Sequence, residues 1–179
     1  MLKLQPFQAE PWLTGIELSS ALQWNQGILE LRYRLRCRED QLTLPPPSNQ
    51  RERRDELWMS SCFEAFIGVR GEKNYWEINL ASSGDWNVYR LNDYRDGLAQ
   101  EPAVQQLNIQ QERQHQGGDL QLDLAVEIPM APLIPAGTAI EASITAVLDG
   151  GASGISYWAL EHTGSEADFH RRDSFCLRA

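Results

Sequence analysis

The feature that most constrains this chain is a period of two in its hydrophobicity. Apolar residues alternate with polar ones over residues 29–36, 119–128 and 140–148. Successive side chains of a strand point to opposite faces of a sheet, so each run predicts a strand with one buried face. Further strands are predicted at 62–69, 75–80, 86–91, 104–110, 155–161 and 174–178.

Turn residues separate these segments about every ten positions, and no segment has the periodicity of an amphipathic helix of three turns. Many short strands between tight turns are typical of an antiparallel two-sheet β-sandwich. We therefore predict an all-β fold, arranged as a single domain over residues 1–179.

Charge and cysteine content limit the partners that this chain is expected to have. The formal net charge is −9, which argues against nucleic acid and anionic membranes, because both attract basic surfaces. No apolar run resembles a signal peptide or a membrane span, so we predict a cytoplasmic protein. Cys37, Cys62 and Cys176 lack paired spacing, so we expect free thiols without a disulfide or a zinc site. The oligomeric state is left open.

Two of the predicted strands form a hairpin with polar groups on one face. Only a register that keeps the apolar sets together is sensible, because a slip of one residue turns a whole strand over. That register pairs Phe63 with Leu80, Ala65 with Ile78 and Ile67 with Trp76. It places Glu64 opposite Asn79 and Phe66 opposite Glu77, so two carboxylates, an amide and an aromatic ring share the other face. The alternative is that this face is simply the wet side of a sheet.

Two tryptophans beside acidic residues flank this hairpin. Trp58 precedes the first strand, and Asp85-Trp86 follows the second. Flat aromatic faces stack on sugar rings while carboxylates and amides bind the hydroxyls, so the set is typical of a sugar site. We predict a concave site floored by Glu64, Glu77 and Asn79 and walled by Trp58 with Asp85 or Trp86.

A last polar group lies near the C-terminus. His162 and His170, with Asp168 between them, follow no ligand spacing, so we expect no metal there. The two histidines could instead close the site. The predicted ligand-binding residues are Trp58, Glu64, Glu77, Asn79, Asp85, Trp86, His162 and His170.

At these positions the chain resembles bacterial DOMON-like proteins related to family nine carbohydrate-binding modules. The resemblance spans nearly the whole chain. Its motifs here are Leu44-Pro45, Asp55 to Glu64, Tyr75 to Asn79, Ser83 to Trp86, Tyr94-Arg95, Ser156 to Leu160, His162 and Asp168-Phe169-His170. Where the chain departs from the motifs of that family, as with Ser61 in place of Thr and Ile78 in place of Phe, the polar residues of the motifs are kept. The resemblance implies a jelly-roll-like or immunoglobulin-like sandwich that binds sugar or haem.

Four functions remain open from the sequence. The first is a non-catalytic module for a small polar ligand, a sugar or sugar-like metabolite, with no catalytic residue and no cofactor. The second is a haem or redox domain, for which Met59 with His162 or His170 would supply the axial ligands. The third is a glycoside-active enzyme that uses Glu64 and Glu77. The fourth is a protein-interaction domain whose motif residues are structural.

Overall fold

The computed structural model describes all residues, 1–179, and shows two antiparallel sheets packed face to face. The strands are β1 (Leu2–Lys3), β2 (Gln5–Pro6), β3 (Glu17–Asn25), β4 (Ile28–Arg38), β5 (Cys62–Val69), β6 (Tyr75–Ala81), β7 (Trp86–Leu91), β8 (Ala99–Gln100), β9 (Asn108–Gln116), β10 (Asp119–Pro129), β11 (Ile140–Asp149), β12 (Ile155–Ala159) and β13 (Leu177–Arg178). The only helices are single 3-10 turns at Pro11–Leu13, Leu57–Met59, Gly151–Ser153 and Arg172–Ser174. None of them is long or apolar enough to span a membrane.

The first sheet has the order β1-β3-β4-β10-β9, and the second has the order β2-β12-β11-β5-β6-β7-β8, with β13 added against β11. The alternating apolar residues of both sheets meet in one core of 33 buried residues. The β-sandwich predicted from the period of two is therefore confirmed, because a strand that is apolar on one face must bury that face against another layer.

The main differences from the predicted strands are three. The strand β3 was not predicted, although Leu18, Leu22 and Trp24 alternate with polar residues. The strand expected at 104–110 begins only at Asn108 and continues to Gln116, because β10 pairs with it along its whole length. Gly117 and Gly118 close this hairpin with φ of 63° and 86°, a backbone conformation that favours glycine. The C-terminal strand is reduced to β13.

The hairpin of β5 and β6 has the predicted register. Phe63 pairs with Leu80, Ala65 with Ile78 and Ile67 with Trp76, and all six side chains belong to the core. Glu64 lies opposite Asn79 and Phe66 opposite Glu77, on the face that turns away from the first sheet. The prediction of one polar face on this hairpin is confirmed.

That outer face of the second sheet is covered by the chain from residue 160 to residue 176, which we call the C-terminal segment. It adds Phe169 and Phe175 to a second apolar cluster that contains Phe66 and Tyr75 of the sheet. The C-terminal segment covers only part of the outer face. The polar residues of β5 and β6 therefore lie at the bottom of a depression rather than at an open surface. All three cysteines are free thiols, of which Cys37 and Cys62 are buried and Cys176 is exposed.

Candidate functional site

A cleft of about 400 Å³ opens on the outer face of the second sheet. Its floor is formed by side chains of β5, β6, β7 and β11, and its walls by the 3-10 turn at Leu57–Met59, the chain between β7 and β8, and the C-terminal segment. The residues on which its chemistry depends are Trp58, Glu64, Glu77, Arg95, Tyr157 and His170.

The floor contains a row of polar residues that runs across four strands. The register aligns Thr145 of β11, Glu64 of β5, Asn79 of β6 and Asn87 of β7, so their side chains project to the same face. All four are at most 3% exposed. Buried polar side chains normally find hydrogen-bond partners, so any that lack them indicate where a ligand or water would bind.

Two atoms of this row lack such a partner, Glu64 Oε1 and Asn79 Oδ1. Both are acceptors. Burial, and secondarily the Glu77 carboxylate, raises the pKa of Glu64 well above its usual value. The Glu64 carboxylate therefore takes up a proton far more readily than a carboxylate in water does.

Glu77 lies beside this row, and both of its carboxyl oxygens have a polar neighbour, unlike those of Glu64. Asn79 Nδ2 donates to Glu77 Oε1 at 2.8 Å, and His170 Nε2 is 3.9 Å from Glu77 Oε2. Burial raises the pKa of Glu77, while the Asn79 hydrogen bond and the positive charge of Arg95 act in the opposite direction. Asn79 thus connects the two carboxyl groups, since it pairs with Glu64 across the strands and bonds to Glu77 along its own strand.

Burial sets the protonation state of His170, and Tyr75 sets its tautomer. Burial, assisted by the charge of Arg95, lowers the pKa of His170 to about 4, so the ring is neutral at pH 7. The Arg95 backbone N–H donates to Tyr75 Oη at 3.2 Å, and Tyr75 Oη lies 2.8 Å from His170 Nδ1. We assign the Tyr75 hydroxyl as donor to Nδ1, which leaves the ring proton on Nε2, facing Glu77.

Arg95 and Asp168 connect two walls of the cleft. Arg95 Nη2 lies 2.9 Å from Asp168 Oδ1, and Tyr94 Oη donates to Asp168 Oδ2 at 2.5 Å. The backbone N–H of His170 also donates to Asp168. Asp168 therefore attaches the C-terminal segment to the loop after β7, and its pKa is lowered although burial alone would raise it, because these donors stabilise the carboxylate.

Trp58 forms the opposite wall from a 3-10 turn. Glu56 precedes this turn in the left-handed region, with φ of 59°, and the indole packs edge-on against Tyr89 with ring centroids 5.6 Å apart. Tyr89 Oη donates to Asp55 Oδ1 at 2.7 Å, and Asn87 and Gln100 donate to the same oxygen. The hydrogen bonds to Asp55, which precedes the turn, and the contact with Tyr89 thus hold a half-buried indole at the edge of the cleft.

Tyr157 and Leu98 provide further apolar surface at the mouth. They are 42% and 47% exposed, and Tyr157 packs edge-on against Phe169 with centroids 6.0 Å apart. An exposed aromatic side chain held by a second ring offers a flat, preorganised face to a ligand.

The structure brings five of the eight predicted site residues together. Glu64, Glu77, Trp58 and His170 line the cleft, and Asn79 lies beneath it between the two carboxyl groups. These residues meet because the hairpin register and the C-terminal segment place them on one face.

The other three predicted residues lie elsewhere. Trp86 is 4% exposed and points into the core, since it pairs with the core residue Leu80. Asp85 shapes the turn before β7, where Ser83 and the Glu52 backbone N–H donate to its carboxylate. His162 Nε2 lies 3.0 Å from the Gln5 carbonyl oxygen at the other end of the sheet. The wall predicted from Asp85 and Trp86 is therefore not present at the cleft.

Residues of the cleft that were not assigned to it from the sequence include Arg95, Tyr157 and Phe169. Each lies inside a motif that supports the family resemblance, at Tyr94-Arg95, Ser156 to Leu160 and Asp168-Phe169-His170. Those motifs were therefore the signal that could have identified them.

No protein-family model matches this chain, and no curated protein matches it either. Solved structures do share its fold. The chain is similar to a protein of Bacteroides uniformis ATCC 8492 to which carbohydrate binding is provisionally assigned, with a TM-score of 0.66, 12% identity, and coverage of 97% of this chain and 84% of that one. This similarity shows the fold that the two proteins share.

Two further structures are of a family 9 carbohydrate-binding module from Caldicellulosiruptor kristjanssonii. The complex with glucose aligns with a TM-score of 0.49 and 8% identity, over 97% of this chain and 78% of that one. The complex with cellotriose aligns with a TM-score of 0.45 and 9% identity, over 87% of this chain and 68% of that one.

The neutral state of His170 predicts a loss of stability in acid. Its pKa of about 4 in the folded protein lies below the ordinary histidine value of 6.5, so the folded state binds fewer protons than the unfolded state between these values. This contribution to the free energy of unfolding is fully present above pH 6.5 and is lost as pH falls through 4, by about 3 kcal/mol.

The measurement is urea unfolding of the wild type and of His170→Gln at several values between about pH 7 and pH 4. Glu64 and Glu77 act in the other direction, because their raised pKa values make stability fall as pH rises above 4.5. The difference between wild type and variant isolates the histidine. Parallel pH profiles for the two proteins would contradict the assignment.

Proposed function

We propose that this protein binds a carbohydrate in the cleft of the second sheet and does not transform it. The observation that carries the proposal is the floor, where the buried acceptors Glu64 Oε1 and Asn79 Oδ1 lack partners beside the exposed faces of Trp58 and Tyr157. An unpaired buried acceptor costs about 1–3 kcal/mol, so a ligand that donates to it gains that amount on binding.

Saccharides match both halves of such a cleft. Their hydroxyl groups donate hydrogen bonds to carboxylate and amide oxygens, and their C–H faces pack on aromatic rings. A volume of about 400 Å³ lies within the range of small-molecule sites. The Bacteroides uniformis structure, to which carbohydrate binding is provisionally assigned, adds support through the shared sandwich. The resemblance to DOMON-like proteins points the same way.

The electrostatics of Glu64 and Glu77 favour binding over hydrolysis of a glycosidic bond. Glycosidases separate the pKa values of their two carboxyl groups so that one donates a proton while the other is ionised. Here burial raises the pKa of both groups, and Asn79 bonds to Glu77 at the floor. In neither group is the pKa lowered, as an ionised nucleophile or base would favour.

The side chains nominated for haem do not converge. Met59 is 72% exposed and does not line the cleft, and His162 bonds to Gln5 away from it. His170 does line the cleft, but Tyr75 already binds its Nδ1. The nominated residues therefore do not fit a haem with two axial ligands, and we propose no haem function.

Replacing Trp58 with alanine is expected to weaken saccharide binding about tenfold or more while the fold is retained, because the indole supplies a stacking face. The test is calorimetric titration with the oligosaccharides that bind the wild type in a glycan screen. The matched control is Met59→Ala, which removes an exposed neighbouring side chain outside the cleft.

Equal affinities of wild type and Trp58→Ala would contradict the placement of the ligand. Release of shorter saccharides during the titration, detected by chromatography, would contradict the absence of catalysis. A wild type that binds no member of the screen would contradict the proposed function as a whole.

A further inference from the structure

Two buried acceptors lie at and beneath the floor of the cleft. Glu64 Oε1, in the lining, and Asn79 Oδ1, below it, accept no hydrogen bond. The orientation of the Asn79 amide follows from its Nδ2, which donates to Glu77 Oε1 at 2.8 Å. If the amide were turned over, its oxygen would face a carboxylate oxygen, so two acceptors would meet. The floor therefore presents an unpaired carboxyl oxygen at Glu64.

Two polar side chains around the floor already bind other groups. Tyr75 binds His170 Nδ1. Arg95 holds Asp168 through its guanidinium and Tyr75 through its backbone N–H. An ionised Glu64 carboxylate only accepts hydrogen bonds, so a ligand that bonds to it supplies the hydrogen atoms.

The charge of the cleft favours a cation as the source of those hydrogen atoms. Two carboxyl groups, Glu64 and Glu77, share the floor, and the neighbouring His170 ring is neutral. Burial, and secondarily the Glu77 carboxylate, raises the pKa of Glu64, so a group that brings positive charge stabilises its ionised form. A ligand ammonium group supplies that charge together with three N–H donors.

The walls of the cleft also suit a cation. The rings of Trp58, Phe66, Tyr157 and Phe169 line it. Aromatic faces attract cations, and the attraction is larger where water is excluded.

We propose that the cleft prefers saccharides that carry a free primary ammonium group, with Glu64 accepting its N–H bonds. This inference rests on the proposed function and specifies the class of saccharide. Binding favours the ionised form of Glu64, so a proton held by Glu64 passes to the buffer while the ammonium group remains charged. No covalent bond forms or breaks.

The first experiment compares three ligands of equal length against the wild-type protein, namely glucosamine oligosaccharides, their N-acetylated counterparts and cello-oligosaccharides. The titrations are done with EDTA present and below the pKa of the amine. We expect the glucosamine ligand to bind at least about tenfold more tightly than the other two, as one charge-assisted hydrogen bond would give. Calorimetry in buffers of different ionisation enthalpy should show release of up to one proton for the amine ligand only.

The second experiment uses Glu64→Gln, which is nearly isosteric and removes the carboxylate. The variant should lose the preference for the amine and its proton release, so that the amine binds no more tightly than the neutral saccharides. Glu72→Gln is the matched control, because Glu72 lies in the exposed turn of the β5–β6 hairpin and the same two side chains are exchanged there.

The possible outcomes separate the two proposals. Neutral saccharides that bind the wild type as tightly as the amine would overturn the inference and leave the proposed function standing. An absence of binding by all three ligand classes would overturn both. If Glu64→Gln does not fold, as circular dichroism would show, the wild-type comparison and its proton release decide the inference alone.

Discussion

Replacing Trp86 with alanine should lower the free energy of unfolding by about 3–5 kcal/mol, the range for removal of a large buried aromatic side chain. Trp86 is 4% exposed within the core, and the Arg53 guanidinium lies 4.7 Å from the centre of its ring. The substitution would leave a cavity between the sheets and remove the surface on which Arg53 stacks. Urea unfolding followed by circular dichroism measures the loss.

Trp58→Ala is the matched control for this prediction, since both residues are tryptophans beside acids at strand ends. Trp58 is half-buried on the outer face and packs on one ring, Tyr89, so we expect its removal to lower stability by only about 1 kcal/mol. Trp86→Ala should therefore mainly lower stability, and Trp58→Ala should mainly lower saccharide affinity. A stable Trp86→Ala variant that no longer binds saccharides would show that Trp86 acts in the site after all.

Replacing Arg172 with alanine is the second substitution with a large expected effect. Its Nε lies 2.5 Å from Glu141 Oε1. Its Nη2 donates to the Val69 carbonyl oxygen at 2.7 Å, and its Nη1 donates to the Asn74 carbonyl oxygen at 3.3 Å. Its guanidinium also lies 5.0 Å from the centre of the Phe175 ring. This one side chain thus joins the C-terminal segment to β11 and to both ends of the turn between β5 and β6.

We expect Arg172→Ala to cost about 2–3 kcal/mol, less than the loss of a fully buried partner, because Arg178 Nη1 remains 2.7 Å from Glu141. Saccharide affinity should fall as well, since the same segment carries Phe169 and His170 into the cleft. Arg171→Ala is the control, because Arg171 bonds to Thr163 and Asp173 within its own exposed segment and should change little. Equal stability of Arg172→Ala and Arg171→Ala would contradict the role of Arg172.

Gly68 provides an independent check of that role. A Cβ atom at this position would overlap the Arg172 guanidinium, so Gly68→Ala should displace Arg172 and reduce stability. In the Arg172→Ala background the same substitution should cost much less, because the overlapping group is gone. A double-mutant cycle measures this coupling, and additive losses would show that Gly68 and Arg172 act separately.

Much of the site could be anticipated from the hairpin. The residues Phe63, Ala65 and Ile67 are apolar at every second position, so only one register buries them together with their partners on β6. That register alone placed Glu64, Glu77 and Asn79 on one face. The same reasoning extended to β7 would have assigned Trp86 to the core, because it pairs with Leu80.

The sequence by itself determined most of the strands, which face of each of them is apolar, and the register of the central hairpin. These are local properties, set by a side-chain period of two and by the penalty for burying polar groups. Only the tertiary structure decided which part of the outer face becomes a cleft. That outcome depends on long-range contacts, above all those by which Arg172 and Asp168 hold the C-terminal segment across the second sheet. No pattern along the chain encodes the distance between His170 and Glu77, or the separation of His162 from both, because these positions follow from where the segment docks.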